Sequence, residues 1–103
     1  MRRSYTRAIP AAWRTTAGMF VALGDPHRQR ILLMFEPGER LRVGDIVAAS
    51  PLSRTAVSHH LRVMREAGVL RAEKRGKEVW YWPDNALVKA ALEAVLGYLD
   101  AHA

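Results

Sequence analysis

Apolar residues along this chain fall mostly at the three-and-four spacing of helices, interrupted once by two short alternating runs. Trp13, Ala17, Phe20 and Val21 recur at helical spacing and predict a helix from Ala11 that ends at Gly24. Asp25-Pro26 then pairs an N-cap with proline at the first helical position. The helix that follows buries Ile31, Leu32 and Phe35 and stops at Pro37-Gly38. A turn through Glu39 and Arg40 leads to Leu41. A short helix over about 43–49 buries Val43, Ile46 and Val47, and Ser50-Pro51 breaks it. Ser53 caps a helix over about 54–67, with Gly68 as its terminating glycine. Two β-prone runs, 70–74 and 78–82, flank a tip at Arg75-Gly76-Lys77. Pro83 ends the second run, and Asp84 or Asn85 opens a last helix that reaches Asp100. Residues 1–10, with Arg2, Arg3 and Arg7, read as a frayed basic arm, and residues 11–103 as one domain. The predicted fold is mainly α with a small β-hairpin: four helices, the hairpin, a C-terminal helix.

The helices over 43–49 and 54–67 are separated by a turn of helix-turn-helix length, and a basic hairpin follows at once. Together these describe a winged helix-turn-helix. The second of the two helices is two-faced. At about 100° per residue, Val57, Leu61, Met64 and His60 form one stripe, directed to the core. Ser58, Arg62, Thr55, Glu66 and His59 lie opposite, a face with no large apolar group until Val63 at its edge. Such a face can approach base edges closely. Arg54 and Thr55 lie in the first turn, where recognition helices meet bases. Arginine pairs bidentately with guanine, and serine and threonine hydrogen-bond to several base edges. Arg54, Thr55, Ser58 and His59 are therefore the expected base contacts. Ser53, Arg62 and Arg65 are the expected phosphate contacts, joined by Lys74, Arg75 and Lys77 around the hairpin tip, where core packing cannot explain three cations. The alternative for this helix is an ordinary amphipathic surface helix with solvated arginines.

The second hairpin run is aromatic. Alternation sets Trp80 and Trp82 on one face and Val79 and Tyr81 on the other. These side chains are expected to pack under the hairpin, because few other large residues are available to fill that space. The competing use is stacking of single-stranded bases.

Charge supports a polyanionic partner. The formal net charge is +6 over 103 residues. Residues 53–77 hold seven cationic side chains against two acidic ones, whereas residues 78–103 hold one against four. Clustering of this kind marks a surface for nucleic acid more than a uniformly solvated one does. The chain has no cysteine, which excludes a disulfide framework, cysteine-ligated zinc and thiol-based sensing. No apolar run approaches the ~18 residues of a membrane span, and the basic N-terminus lacks the apolar stretch of a signal peptide. The expected setting is a soluble protein of the cytoplasm with no membrane partner.

Three segments resemble one family. Gly24-Asp25-Pro26-His27-Arg28-Gln29-Arg30-Ile31-Leu32 is similar to the L-[SG]-D-P-x-R-x-x-I-L segment of the ArsR/SmtB repressors. LSRTAVSHHLRVMREAGVL, from Leu52 to Leu70, resembles their recognition helix and its exit, and RGKEVWYW resembles their wing. The resemblance runs from about Met19 to the end of the chain. It implies a homodimeric repressor on a pseudo-palindromic operator, with base contacts at Arg54, Thr55, Ser58 and His59 and wing-tip contacts at Arg75 and Lys77. It also implies a dimer interface built by the first and last helices. Trp13, Phe20, Val88, Leu92, Val95, Leu96 and Leu99 are the residues expected there, and the last-helix stripe, to which Ala91 also belongs, is wider than a lone surface helix needs. Intramolecular packing is the other use of that stripe, and both are expected to coexist.

Many relatives sense metals. The family's cysteine pair on the third helix falls at Arg42 and Gly44, and its last-helix site falls at Asp84, Ala86, Gly97 and Asp100. Two carboxylates without imidazole or thiolate make a poor soft-metal site. Of the four histidines, His27, His59, His60 and His102, only the adjacent pair His59-His60 is close in sequence, and its side chains diverge. No metal, no cofactor and no metal or thiol response is expected, although a zinc site shared between two chains stays open, and the residues name no effector. No nucleophile–base arrangement or phosphate-cradling glycine loop points to an enzyme. The expected function is sequence-specific binding of double-stranded DNA as a transcriptional repressor. The alternatives are a nonspecific architectural DNA- or RNA-binding winged-helix protein, and an interaction module that has lost nucleic-acid binding.

Overall fold

Residues 3–10 carry exposed side chains and enter no helix or strand; the computed structural model describes residues 3–103, so Met1 and Arg2 of the expected arm lie outside the described residues. A 3₁₀ turn follows at Ala11–Trp13, and α1 runs only from Thr16–Leu23. The expected continuous helix from Ala11 is thus interrupted at Arg14-Thr15. Consecutive β-branched threonines, Thr15 and Thr16, weaken helix continuation there. The inner face of α1 is Thr16, Met19 and Ala22. Phe20 and Val21 point outward, 50% and 67% exposed. Apolar residues ring this helix, so spacing alone did not choose its inner side.

The remaining boundaries follow local capping chemistry. The Asp25 carboxylate accepts from the His27 and Arg28 amides at 2.8 and 3.3 Å, and Pro26 occupies the first position of α2, Pro26–Leu33. α3, Val43–Ala49, begins where the Arg42 amide donates to Asp45 Oδ2 at 2.8 Å. The Ser53 hydroxyl accepts from the Ala56 amide at 3.1 Å to open α4, Arg54–Glu66. At its end the Gly68 amide donates to the Arg65 carbonyl and the Val69 amide to the Met64 carbonyl, both at 3.0 Å. That is the paired bonding of a Schellman motif, and Gly68 supplies its left-handed residue with φ of 81°.

β1, Leu70–Arg75, and β2, Glu78–Pro83, pair antiparallel from Arg75↔Glu78 to Leu70↔Pro83. The loop is Gly76-Lys77. Gly76 has φ of 62° while Lys77 stays negative, the sign pattern of a type II′ turn that suits strand twist. Leu41 adds a one-residue third strand: its amide donates to the Tyr81 carbonyl at 3.0 Å, and the Tyr81 amide to the Leu41 carbonyl at 2.8 Å. Asp84 caps α5, Asn85–Ala101, by accepting from the Leu87 amide at 3.1 Å.

The core joins Met19 and Ala22 of α1, Ile31 of α2, Ile46 of α3, Val57, Leu61 and Met64 of α4, Val69, Leu70, and Ala91 of α5. α4 supplies three of these and crosses the centre. Leu32 and Phe35, expected inside, are half-buried against this core. α5 buries only Ala91 fully. Val88 and Val95 are half-buried, and Leu92, Leu96, Tyr98 and Leu99 are exposed. Trp13 meets Tyr98 edge-on, with ring centroids 5.6 Å apart.

The exit of α4 depends on a residue without a side chain. A Cβ at Gly68 lies 2.7 Å from Leu87 Cδ1, on a backbone conformation that L-residues resist. Gly68→Ala is expected to destabilise the fold by about 1–2 kcal/mol, read as a lower urea midpoint at unchanged slope. An unchanged midpoint contradicts this account of the helix end.

Candidate nucleic-acid interface

Complete burial of Val57, Leu61 and Met64 turns the opposite face of α4 to solvent. Arg54, Thr55, Ser58, His59 and Arg62 line one continuous shallow surface there. Arg62 Nη2 lies 3.4 Å from His59 Nδ1. Ser53 is exposed, with its oxygen engaged in the cap and its O–H proton still free to donate. Arg65 is exposed one turn further along. A second crevice, of about 500 Å³, runs between the start of α4 and the hairpin. Arg42, Asp45, Arg54, Lys77, Glu78 and Tyr81 are among its walls. Arg54 borders both, so the helix face and the hairpin form one surface.

The hairpin tip divides into free and paired cations. Lys74, Lys77, Arg54, Arg62 and Arg65 form no salt bridge among the described residues, whereas Arg75 Nε lies 3.2 Å from Glu73 Oε1. Glu73 also takes Arg40 Nη1 at 2.8 Å. These two guanidiniums, Arg40 foremost, hold the Glu73 carboxyl below the usual carboxylate range.

The aromatic strand departs from expectation. Tyr81 alone packs toward the core. Trp80 and Trp82 lie on the other face, half-exposed, under the guanidiniums of Arg42 and Arg40 at 4.8 and 3.8 Å from their ring centroids. The indoles therefore do not fill space beneath the hairpin. One face of each indole is covered by an arginine and is not open for stacking a base. The sequence gives no expectation that Arg40 and Arg42 pack on the hairpin. Their two-residue spacing around Leu41 was the available signal, and it needed the Leu41–Tyr81 pairing to become readable.

Comparison with known proteins now decides the class. The family model for bacterial regulatory proteins of the arsR family matches residues 25–72, from the α2 cap into β1. The arsenic resistance transcriptional regulator ArsR1 of Pseudomonas putida is 31% identical over 82% of this chain and 72% of its own length. This chain belongs to the arsR family. The transcriptional repressor SdpR of Bacillus subtilis is 26% identical over 80% of this chain and 90% of that protein. The solved ArsR-like transcriptional regulator from Rhodococcus superposes with a TM-score of 0.72 at 26% identity, over 92% of this chain and 89% of that one. As a member of the arsR family the chain is a winged helix-turn-helix transcriptional regulator that binds DNA, and not an enzyme.

At the family's metal-binding positions the donor sets do not fit a metal. Arg42 is ion-paired to Asp45 and Glu78 at 3.2 and 2.9 Å, and Gly44 offers no side chain. Asp84 is engaged as the cap of α5. Among the described residues no group of three or more histidine, aspartate or glutamate side chains is disposed to hold a metal ion. The histidines are closer than their sequence positions implied: the His27 and His60 rings lie 5.9 Å apart, and His59 and His60 5.8 Å. The Arg28 guanidinium donates to His60 Nδ1 across 3.2 Å, and a cation in that position opposes a second one.

His60 sits at the edge of the α2–α4 contact. Burial, chiefly, holds its imidazole below the ordinary value, with Arg28, His59 and His27 adding to the effect and Asp25 opposing it. The fold therefore keeps His60 neutral where the unfolded chain takes up a proton. Stability contributed by this site is complete above the unfolded pKa of about 6.5 and falls as pH drops from there to the lowered folded value. Urea melts at pH 7.5, 6.5 and 5.5 are expected to show that loss, and His60→Gln to flatten it. An identical pH profile for the variant rejects the assignment.

Proposed function

We propose that this chain represses transcription by binding a pseudo-palindromic DNA operator as a homodimer, reading the major groove with α4 and gripping the backbone with the hairpin. The single observation that carries this reading is the exposed face of Arg54, Thr55, Ser58 and His59, anchored by a fully buried stripe and continuous with Lys77. In this reading Arg54 pairs with a base edge, and Thr55, Ser58 and His59 complete the contact. Ser53, Arg62, Arg65, Lys74, Arg75 and Lys77 fix register on phosphates. Lys77, without an internal partner among the described residues, releases more counterion than Arg75, which must first leave Glu73.

Two copies are needed to cover the apolar face. Phe20, Leu92, Leu96 and Leu99 leave about half of their surfaces in water, and exposed apolar area of that kind, with Leu92, Leu96 and Leu99 in one stripe of α5, marks a protein–protein contact. Trp13, Val88 and Val95 border it. A twofold axis through this face presents two α4 helices to one side of a duplex, with half-sites about 34 Å apart. No helix among the described residues is long and apolar enough to cross a membrane, and action on DNA places the protein in the cytoplasm in this reading. The donor sets at the family's metal positions favour regulation without metal or thiol chemistry.

Selection of bound fragments from random duplex DNA tests this directly. Recovered sites are expected to be inverted repeats with half-site centres one helical turn, or a multiple of it, apart. Recovery of unrelated sequences, or preference for single strands, favours nonspecific binding instead. Against a selected site, Arg54→Ala is expected to lose about 1–3 kcal/mol of base discrimination at one position per half-site. Lys77→Ala should instead weaken all duplexes alike and reduce the salt slope by about 1 per half-site. Interchanged behaviour of the two variants assigns their roles the other way round.

A further inference from the structure

The outer half of the hairpin has little to hold it. From Glu73 to Glu78 every side chain is exposed, and a two-stranded hairpin alone is marginally stable in water. Yet its tip has to meet the same duplex as α4, which requires a defined angle between them. The Leu41 segment supplies the restraint. Because Leu41 pairs with Tyr81, its neighbours Arg40 and Arg42 project to the opposite side of the sheet, the side occupied by Trp80 and Trp82. Antiparallel order sets Arg40 over Trp82 and Arg42 over Trp80.

Each arginine also grips a strand carboxylate. Arg40 Nη1 lies 2.8 Å from Glu73 Oε2 on β1, and Arg42 Nη1 lies 2.9 Å from Glu78 Oε1 at the first residue of β2, beside the tip. Arg42 holds the body of the domain at the same time. Its Nη2 and Nε lie 3.2 and 3.3 Å from the Asp45 carboxylate in the first turn of α3. One planar guanidinium thus bridges the helix-turn-helix and the wing, through a stack and two carboxylates. A fork of fixed donors is suited to that task, and an ammonium is not.

We propose that Arg40 and Arg42 are positioning residues for DNA binding: a pair of indole-stacked guanidiniums that lock the wing at a fixed angle to α4 so that Lys77 and Arg54 engage one duplex together. The proposal rests on the DNA-binding reading above. These side chains act through the wing and not through contact with DNA. Their exposure, 39% and 40%, means that each ion pair alone adds little to global stability. The lock sets an orientation, so its loss is expected in wing motion and DNA affinity, and not in the melting temperature.

The test separates the lock from simple charge. Glu78→Gln removes a negative charge beside the tip, so electrostatics alone predicts tighter DNA binding. The lock predicts the reverse. Arg42→Lys keeps the charge and removes the fork and the stack, so charge alone predicts unchanged binding and the lock predicts weaker binding. Both variants are expected to keep the wild-type melting temperature and to bind a selected operator about five-fold or more weakly, with a salt slope lower by about 1 as wing contacts are lost. In the free proteins, amide hydrogen exchange across residues 70–83 is expected to quicken while that of α4 is unchanged. Glu78→Gln binding as tightly as wild type or tighter, or wild-type exchange rates in both variants, overturns the lock. Absence of operator binding by the wild-type chain overturns the DNA-binding reading instead, and the exchange measurement still decides the lock.

Discussion

Val57, Leu61 and Met64 expose no surface, and the orientation of α4 follows from their burial. Each such side chain gains about 1.5–3 kcal/mol on leaving water, so the stripe accounts for roughly 5–9 kcal/mol before its entropic cost. That is comparable with the whole net stability of a small domain, about 5–15 kcal/mol. Rotation of the helix by one residue, about 100°, exchanges this stripe for Ser58, Arg62 and Arg65 and is out of reach. The polar face is therefore fixed by the apolar one. Ser53 at one end and the Gly68 turn at the other fix where that face starts and stops.

The charge on the binding surface is smaller than its cation count. Between residues 53 and 77 the chain carries seven arginines and lysines, but Arg75 is held by Glu73. Arg40 and Arg42, which lie close by, are neutralised by Glu73, Glu78 and Asp45. Exposed and without an ion pair among the described residues of that segment are Arg54, Arg62 and Arg65 on α4, Arg71 and Lys74 on β1, and Lys77 at the tip. Internal pairing thus takes Arg40, Arg42 and Arg75 out of the net positive field, which rests on the cations of α4 with Arg71, Lys74 and Lys77.

Much of this was legible in the sequence because the governing interactions are local. Asp25-Pro26, Ser53, Gly68 and Asp84 each act within four residues of themselves, and the two faces of α4 follow from helical period alone. The readings that failed depend on distant partners. Alternation separated Trp80 and Trp82 from Tyr81 correctly, but which side faced the core depended on Leu41 pairing forty residues away. On α1, Trp13, Ala17, Phe20 and Val21 share helical spacing, yet Met19 and Ala22 on the other side of the helix join the core, while Phe20 stays exposed as an interface residue has to be in a single chain. Arg40 and Arg42 gave no signal as a pair until the third strand placed them over the indoles.

The joint between α4 and α5 connects the two surfaces. The Asp84 amide donates to the Val69 carbonyl at 2.9 Å, directly after the Gly68 turn. Gly68 lies against the Leu87 side chain in the first turn of α5, and a Cβ there needs Leu87 to shift. The reading helix therefore leaves through a tight turn that is bonded and packed against the start of the helix that carries Leu92, Leu96 and Leu99. Interiors packed this closely do not bend continuously. Once two copies meet along that apolar face, the separation of their α4 helices is set by this joint and not by a flexible linker. In the proposed homodimer, operator spacing becomes a property of backbone geometry at Gly68, Val69 and Asp84, while the proposed base contacts at Arg54, Thr55, Ser58 and His59 carry base preference.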